Sequence, residues 1–247
     1  MKRIERHKLK GNDFAESVAR ARAVMVERSR EVTTAVIAIV VALVLIGGFV
    51  GWRASRNANA TNLLASALAV AEAPVVTPPP PAPGSPPPVQ QPGTFRTERE
   101  RLEAALPRLL DAADKYPNTD AGLTARYRAA AALAELGRYP EAEQRYQEVA
   151  AKAGRSSIYA RTARLGQAEA QLAQGKGEAA VAALKELSTD GDSQLPLDGV
   201  LMQLGRAYQQ AGKKDEATRA FTRVVDEFPQ SAYASEAKEK IQELKKA

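Results

Sequence analysis

From Val32 to Trp52 the chain runs for 21 residues without a charge, bounded by Glu31 and Arg53. A helix of that length reaches roughly 30 Å at 1.5 Å per residue, the thickness of a bilayer's hydrocarbon core. The stretch TTAVIAIVVALVLIGGFVGW is apolar on every face, whereas a helix lying on a soluble core keeps a polar stripe. The pattern predicts one transmembrane helix over residues 33–52, with Trp52 in the aromatic belt at its end. A cleavable signal peptide is the competing reading. The small-x-small triplet Ala58-Asn59-Ala60 favours it, and the 32 residues in front of the apolar run, longer than a signal peptide's leading region, disfavour it.

Residues 53–73 are expected to extend the helix, 60–73 (ATNLLASALAVAEA) being Ala- and Leu-rich, and then the pattern stops: Pro74 to Pro92 holds ten of the chain's fifteen prolines. Such a segment makes no backbone ladder and tends to polyproline II, so residues 74–94 are expected to be either a stiff spacer or an insertion between two helices. From Phe95 onward apolar and charged residues are mixed in globular proportion. Ala and Leu dominate the apolar set, and both lose little entropy on entering a helix. The fold class expected is all-α.

Within residues 95–247 the pattern repeats. The clearest unit runs Leu204-Gly205-Arg206-Ala207-Tyr208, then Gly212, Asp215-Glu216-Ala217, Phe221, Val224 and Phe228-Pro229. A second copy passes through Leu133, Gly137, Glu141-Ala142, Tyr146 and Val149, and a third through Leu165-Gly166, Gly175, Ala180, Leu184 and Leu187. Gly137, Gly175 and Gly212 are 38 and 37 residues apart, and Tyr116-Pro117 precedes Phe228-Pro229 by 112, about three such periods. The residue types have physical reasons. Small Gly205 and Ala217 let two antiparallel helices approach, Tyr208 and Phe221 fill the space beside them, Gly212 makes the turn, and Pro229 ends the second helix.

These residues resemble the tetratricopeptide consensus, with a period somewhat longer than its usual 34 or so residues. The resemblance implies a right-handed TPR-like solenoid of helical hairpins following the single transmembrane helix. Residues 97–115 then read as the second helix of a first hairpin, Pro107 suggesting a kink or a late start. The matching first helix would be residues 60–73. Ser231 to Leu244 reads as a polar capping helix. Applied to matching positions, the family's groove offsets give Tyr127, Gln167, Met202, Arg206 and Gln209 as a candidate surface for peptides or partner proteins.

Charge refines this picture. Residues 1–32 carry nine Lys/Arg against five Asp/Glu, residues 33–94 two against one, and residues 95–247 24 against 23. The basic excess sits in the tail before the span, where it predicts a cytoplasmic N-terminus and an external, periplasmic, repeat region. A nucleic-acid module would carry the excess on its folded face, so no nucleic-acid partner is expected. In the tail, Asn12-Asp13-Phe14 opens a helical pattern toward Arg30, with Phe14, Val18, Met25 and Val26 on one side; it suits contact with anionic headgroups or a membrane partner.

Catalytic chemistry finds little material. The chain has no cysteine and one histidine, His7, in the tail. Gly175-Lys176-Gly177 lacks the flanking residues of a phosphate loop and falls at an interhelical turn. Glu141, Glu178 and Glu216 follow such turns, where carboxylates suit a helix start. The expectation is a protein that is not an enzyme, with no cofactor, no metal and no small-molecule substrate.

The opening Arg3-x-x-Arg6-x-x-Leu9-Lys10, the Asp13-Phe14 pair and the order of tail, span and repeats resemble the ancillary subunit of the bacterial Sec translocon. That resemblance implies a membrane-tethered chaperone-like or scaffolding role, with translocon subunits or exported chains as partners. An envelope assembly or division scaffold, or an accessory subunit of an envelope enzyme, would use the same architecture.

Overall fold

The computed structural model describes residues 16–19, 29–78, 90–154, 157–191 and 194–246. Apart from a helical stretch at 16–19, the tail helix expected from Asn12 toward Arg30 lies outside the described residues, as does His7. The chain divides into two compact units, residues 1–56 and 57–247.

The first unit is dominated by α1, Ser29–Ala71, whose C-terminal part belongs to the second unit. Its segment from Thr33 is long and apolar enough to cross a membrane, and the side chains of its most apolar stretch are exposed. Val36, Ile39, Leu43, Ile46 and Phe49 are all exposed. The helix does not stop at Trp52. It runs on through Ala58-Asn59-Ala60, so the small-x-small triplet is helical and Ala60 is buried.

The second unit is built from helices only, apart from one isolated bridge among the described residues. After α1 come α2 (Glu98–Lys115), α3 (Asp120–Glu135), α4 (Tyr139–Lys152), α5 (Ile158–Ala173), α6 (Gly177–Thr189), α7 (Leu197–Gln210), α8 (Lys214–Glu227) and α9 (Ala234–Lys246). Each of α2 to α8 packs on the helix that follows it in the chain. First helices of successive hairpins also meet directly, α3 with α5 and α5 with α7. That is how one face of a solenoid becomes the inner one.

Three turns share one geometry. Gly137, Gly175 and Gly212 have φ of 77°, 78° and 73°, the left-handed region that glycine enters without strain. Each donates its N–H to the carbonyl three residues back, on Ala134, Leu172 and Gln209. The next residues, Arg138, Lys176 and Lys213, donate to Leu133, Gln171 and Tyr208. These paired bonds satisfy carbonyls that the helix end would leave bare. Five, nine and twelve residues beyond each turn glycine stand Ala142, Ala180 and Ala217, then Tyr146, Leu184 and Phe221, then Val149, Leu187 and Val224, all buried.

That register corrects one sequence reading. Seven residues before the turn glycines stand Ala130, Ala168 and Gly205, so Leu165-Gly166 is not the counterpart of Leu204-Gly205 but lies two residues off it. Gly166 is small for a different reason: a Cβ there would lie 2.7 Å from Cε1 of Tyr146, on the preceding helix α4.

The end of α1 joins the same core. Ala67 is buried with Leu102, Leu106 and Leu109 of α2, and Leu63 and Leu64 pack against Ala112 and Ala113. Between these helices the chain leaves and returns at one place: Val75 bridges Phe95, with Val76 N–H donating to the Phe95 carbonyl at 2.8 Å and Phe95 N–H to that of Pro74 at 3.0 Å. Helix α2 starts at Glu98, where the Thr97 hydroxyl accepts from Glu100 N–H. It runs through the exposed Pro107, so the late start suggested by that proline does not occur.

Arg126 ties three helices. Its side chain is 4% exposed; Nη2 donates to the Ala113 carbonyl at 3.0 Å and Nε lies 3.0 Å from the Glu148 carboxylate.

Candidate functional site

The inner face is read from the first helices α3, α5 and α7 and from α9, which follows them in the stack. On α5, Glu169 accepts a hydrogen bond from Gln203 Nε2 of α7 at 3.1 Å. One turn along α7, Arg206 Nη1 donates to Gln203 Oε1 at 3.3 Å, and its Nη2 donates to Glu236 of α9 at 2.6 Å. Four side chains on three helices thus form one polar chain. At the Glu169 end stand two aromatic rings, Tyr127 of α3 and Tyr146 of α4, edge to face with centroids 5.7 Å apart.

Electrostatics ties the rings to the chain. Glu169 is exposed to solvent along one side, yet partial desolvation by the surrounding helices pushes its carboxyl above its ordinary value, although the Gln203 hydrogen bond and the Arg206 charge pull the other way. Burial likewise raises the Tyr127 hydroxyl, and the Glu169 charge adds to it. The Tyr146 hydroxyl is raised by burial, by Tyr127 and by Glu169. All three effects disfavour charge at that end of the row, so it is suited to neutral hydrogen-bonding contacts. The Arg206–Glu236 pair remains about two-fifths exposed and ionic.

A second polar hub lies where α4 meets α5. Glu143 receives Gln171 Nε2 at 2.9 Å, Gln174 Nε2 at 2.8 Å and Lys176 Nζ at 2.9 Å. Burial pushes its carboxyl up, but these three donors outweigh burial and hold it below the usual carboxylate range. With this many donors the hub is a structural clasp.

Of the residues expected to line the groove, Tyr127 and Arg206 stand on this face. Met202 does not: it is 1% exposed, packed with Leu201, Phe221, Val224 and Ala237. It shares the register of Tyr127, ten residues before a turn glycine, but α9 covers it. Gln167 is half-buried and stands in the register of Ala129 and Leu204, both core positions, outside the polar chain. Gln209 is half-buried at the end of α7, where its carbonyl accepts the Gly212 N–H. Among the packing residues, Gly205 lies under the Phe221 ring and Ala217 is fully buried. Tyr208 is partly buried between two core clusters, and Pro229 follows the end of α8. Glu169, Gln203 and Glu236 were not foreseen. Counting six residues back from each turn glycine reaches Ala131, Glu169 and Arg206, a register that would have found Glu169.

The turn-and-core register set by Gly212, Ala217 and Phe221 has a counterpart among known proteins. Residues 200–231 match the family model of the tetratricopeptide repeat. A solved putative kinesin light chain from Podosopora anserina, described as having nearly identical TPR-like repeats, aligns with a TM-score of 0.53 at 18% identity, over 60% of this chain and 79% of that one. MamA from Desulfovibrio magneticus RS-1 aligns with a TM-score of 0.46 at 20% identity, over 60% of this chain and 88% of that one. No curated protein matches the chain in sequence. The fold of the second unit is thus a tetratricopeptide-like helical solenoid.

Proposed function

We propose that this is a membrane-tethered protein-binding module whose tetratricopeptide-like unit engages partner proteins along its inner face. The observation that carries the reading is the polar chain Glu169–Gln203–Arg206–Glu236 lying beside Tyr127 and Tyr146. It offers donors, acceptors and ring edges along several helices at once, the chemistry by which a stacked array reads an extended segment. Tethering is supported by the exposed apolar run from Thr33, and retention of the anchor by the helical, partly buried triplet at Ala58 to Ala60. The basic tail favours a cytoplasmic N-terminus at the inner membrane and a periplasmic repeat unit. The proline segment is then an insertion within a first hairpin made by residues 57–71 and α2.

The partners proposed are translocon subunits or exported chains, on the strength of the tail motif and the order of elements. A fixed envelope scaffold and an accessory subunit of an envelope enzyme are the alternatives. Photo-crosslinking in the membrane from Gln203 of the full chain tests the reading. Translocon subunits and nascent exported chains are the expected adducts. One stable envelope complex would replace the translocon reading with the scaffold. Adducts unchanged by replacing Tyr127 and Arg206 together with alanine would remove the inner face from the account.

A further inference from the structure

A second concave feature lies on the opposite side of the hairpins, away from the polar chain. Helices α6 and α8, both second helices, stand apart over α7 and leave a groove of about 580 Å³. The accessible apolar part of its floor is Tyr208 of α7 with Val181 from one wall, over the buried Leu204 and Ala220, and Ser188 and Thr189 add polar groups. Its rim is cationic. Lys185 rises from α6, Arg219 and Arg223 from α8, and Lys213 from the turn before it, against one lining carboxylate, Glu216.

Two of the rim cations are held by carboxylates, and two are not firmly held. Lys213 reaches Glu178 and Arg223 reaches Glu227 through pairs on the solvent side, each partner about two-fifths exposed or more. Both cations are thus occupied, Arg223 by two bonds of 2.6 and 3.0 Å, so the free charge of the rim rests on the other two. Arg219 meets Glu216 only at 4.0 Å, with its side chain 73% exposed. Lys185 has no ion pair among the described residues. Two weakly compensated cations therefore face each other across an apolar trough, one on each wall.

We infer that this groove seats an acidic, amphipathic segment of a partner protein, its apolar side chains on Val181 and Tyr208 and its carboxylates between Lys185 and Arg219. The volume is in the range that encloses anchoring side chains, and an amphipathic helix laid in a groove is the matching recognition mode. A membrane surface fits less well, because a flat array of headgroups reaches the rim and leaves the apolar floor uncovered. This site stands apart from the inner face and does not rest on the reading above.

The test uses the full chain in detergent micelles and a fluorescent synthetic peptide of Glu and Leu in amphipathic helical order, with a Gln-for-Glu peptide as control. Binding is expected for the acidic peptide, weakened about tenfold or more by the double change Lys185→Glu and Arg219→Glu and by raised salt. The milder pair Lys185→Gln and Arg219→Gln, at exposed positions that leave packing intact, is expected to give a smaller loss in the same direction. Absence of binding, affinity unchanged in both variants, or equal binding of the control peptide overturns the proposal. Loss on replacing Tyr127 and Arg206 instead would move the peptide to the inner face. Binding of phosphatidylglycerol vesicles without binding of the peptide would assign the rim to lipid. Either result also overturns it.

Discussion

Gly205 lies face on beneath the ring of Phe221, so closely that a Cβ at position 205 would lie 2.6 Å from Cδ1 and 2.7 Å from Cζ. Phe221 is fully buried and has nowhere to go. Gly205→Ala is therefore expected to destabilise the repeat unit by about 1–3 kcal/mol through overpacking. Trimming the ring in the same chain, with Phe221→Leu, should make the pair less harmful than the sum of the two changes. Urea unfolding of the four members of this cycle measures the coupling, and strict additivity would show that the close approach is not what position 205 requires.

The turn glycines make a different demand. Apart from immediate chain neighbours, no atom lies within 4 Å of a Cβ built on Gly137, Gly175 or Gly212, so replacement there costs backbone strain alone. Each Gly→Ala change should lower stability by about 1 kcal/mol, and Gly→Asn by less, because Asn tolerates the left-handed region better. Thermal unfolding of the two series compares them directly; equal losses for Ala and Asn would count against the conformational cause.

Arg126 separates packing from charge. Its Nη1 has no hydrogen-bond partner among the described residues, and Asp114 and Glu148, its acidic neighbours, keep enough solvent contact to rehydrate. Arg126→Met preserves the apolar bulk and is expected to change stability by about 1 kcal/mol or less, whereas Arg126→Ala opens a cavity and should cost about 2 kcal/mol or more. Equilibrium unfolding distinguishes them, and a Met variant as unstable as the Ala variant would show that the ionic contacts dominate.

Two glutamates on the helical unit should respond to pH with opposite sign. Glu143 is held below its ordinary value in the folded chain, so its ionised form stabilises at neutral pH and that contribution is lost as pH falls through the folded value. Glu169 is held above its ordinary value, so its ionisation costs stability once pH rises above that value. Glu143→Gln is expected to lower Tm at pH 7 with the deficit vanishing near pH 3. Glu169→Gln should raise Tm at pH 7 only slightly, because the residue keeps solvent contact, and make no difference near pH 3. Melting curves at the two pH values check both, and parallel behaviour of the two variants would contradict the assigned environments.

The parts of the fold legible in the sequence are those where one residue type answers one local need. Gly212, Ala217 and Phe221 mark a turn, a close approach and a ring to fill it, and the structure uses them so. The Leu165-Gly166 pair misled because a Leu-Gly step is common in an Ala- and Leu-rich chain, and only the count from Gly175 shows that it sits two residues early. Met202 and Tyr127 occupy one register, yet a flexible thioether side chain slides beneath α9 while the rigid Tyr127 stays half-exposed against Tyr146. The polar chain was harder to foresee. Gln203 meets Glu169 across 34 residues and Arg206 meets Glu236 across 30, and such pairs become visible only when the hairpin register is known.

The backbone clasp at Val75 and Phe95 sets the spacing of the helices it joins independently of what lies between. Two hydrogen bonds fix where the chain departs and where it comes back, so residues added or removed inside the interval alter only a closure entropy that grows with the logarithm of length, about 0.6 kcal/mol for each doubling. The proline stretch can thus be lengthened, shortened or made to carry an inserted tag while α1 and α2 keep their packing. Whatever that interval does for the protein can be varied separately from the stack of helices behind it.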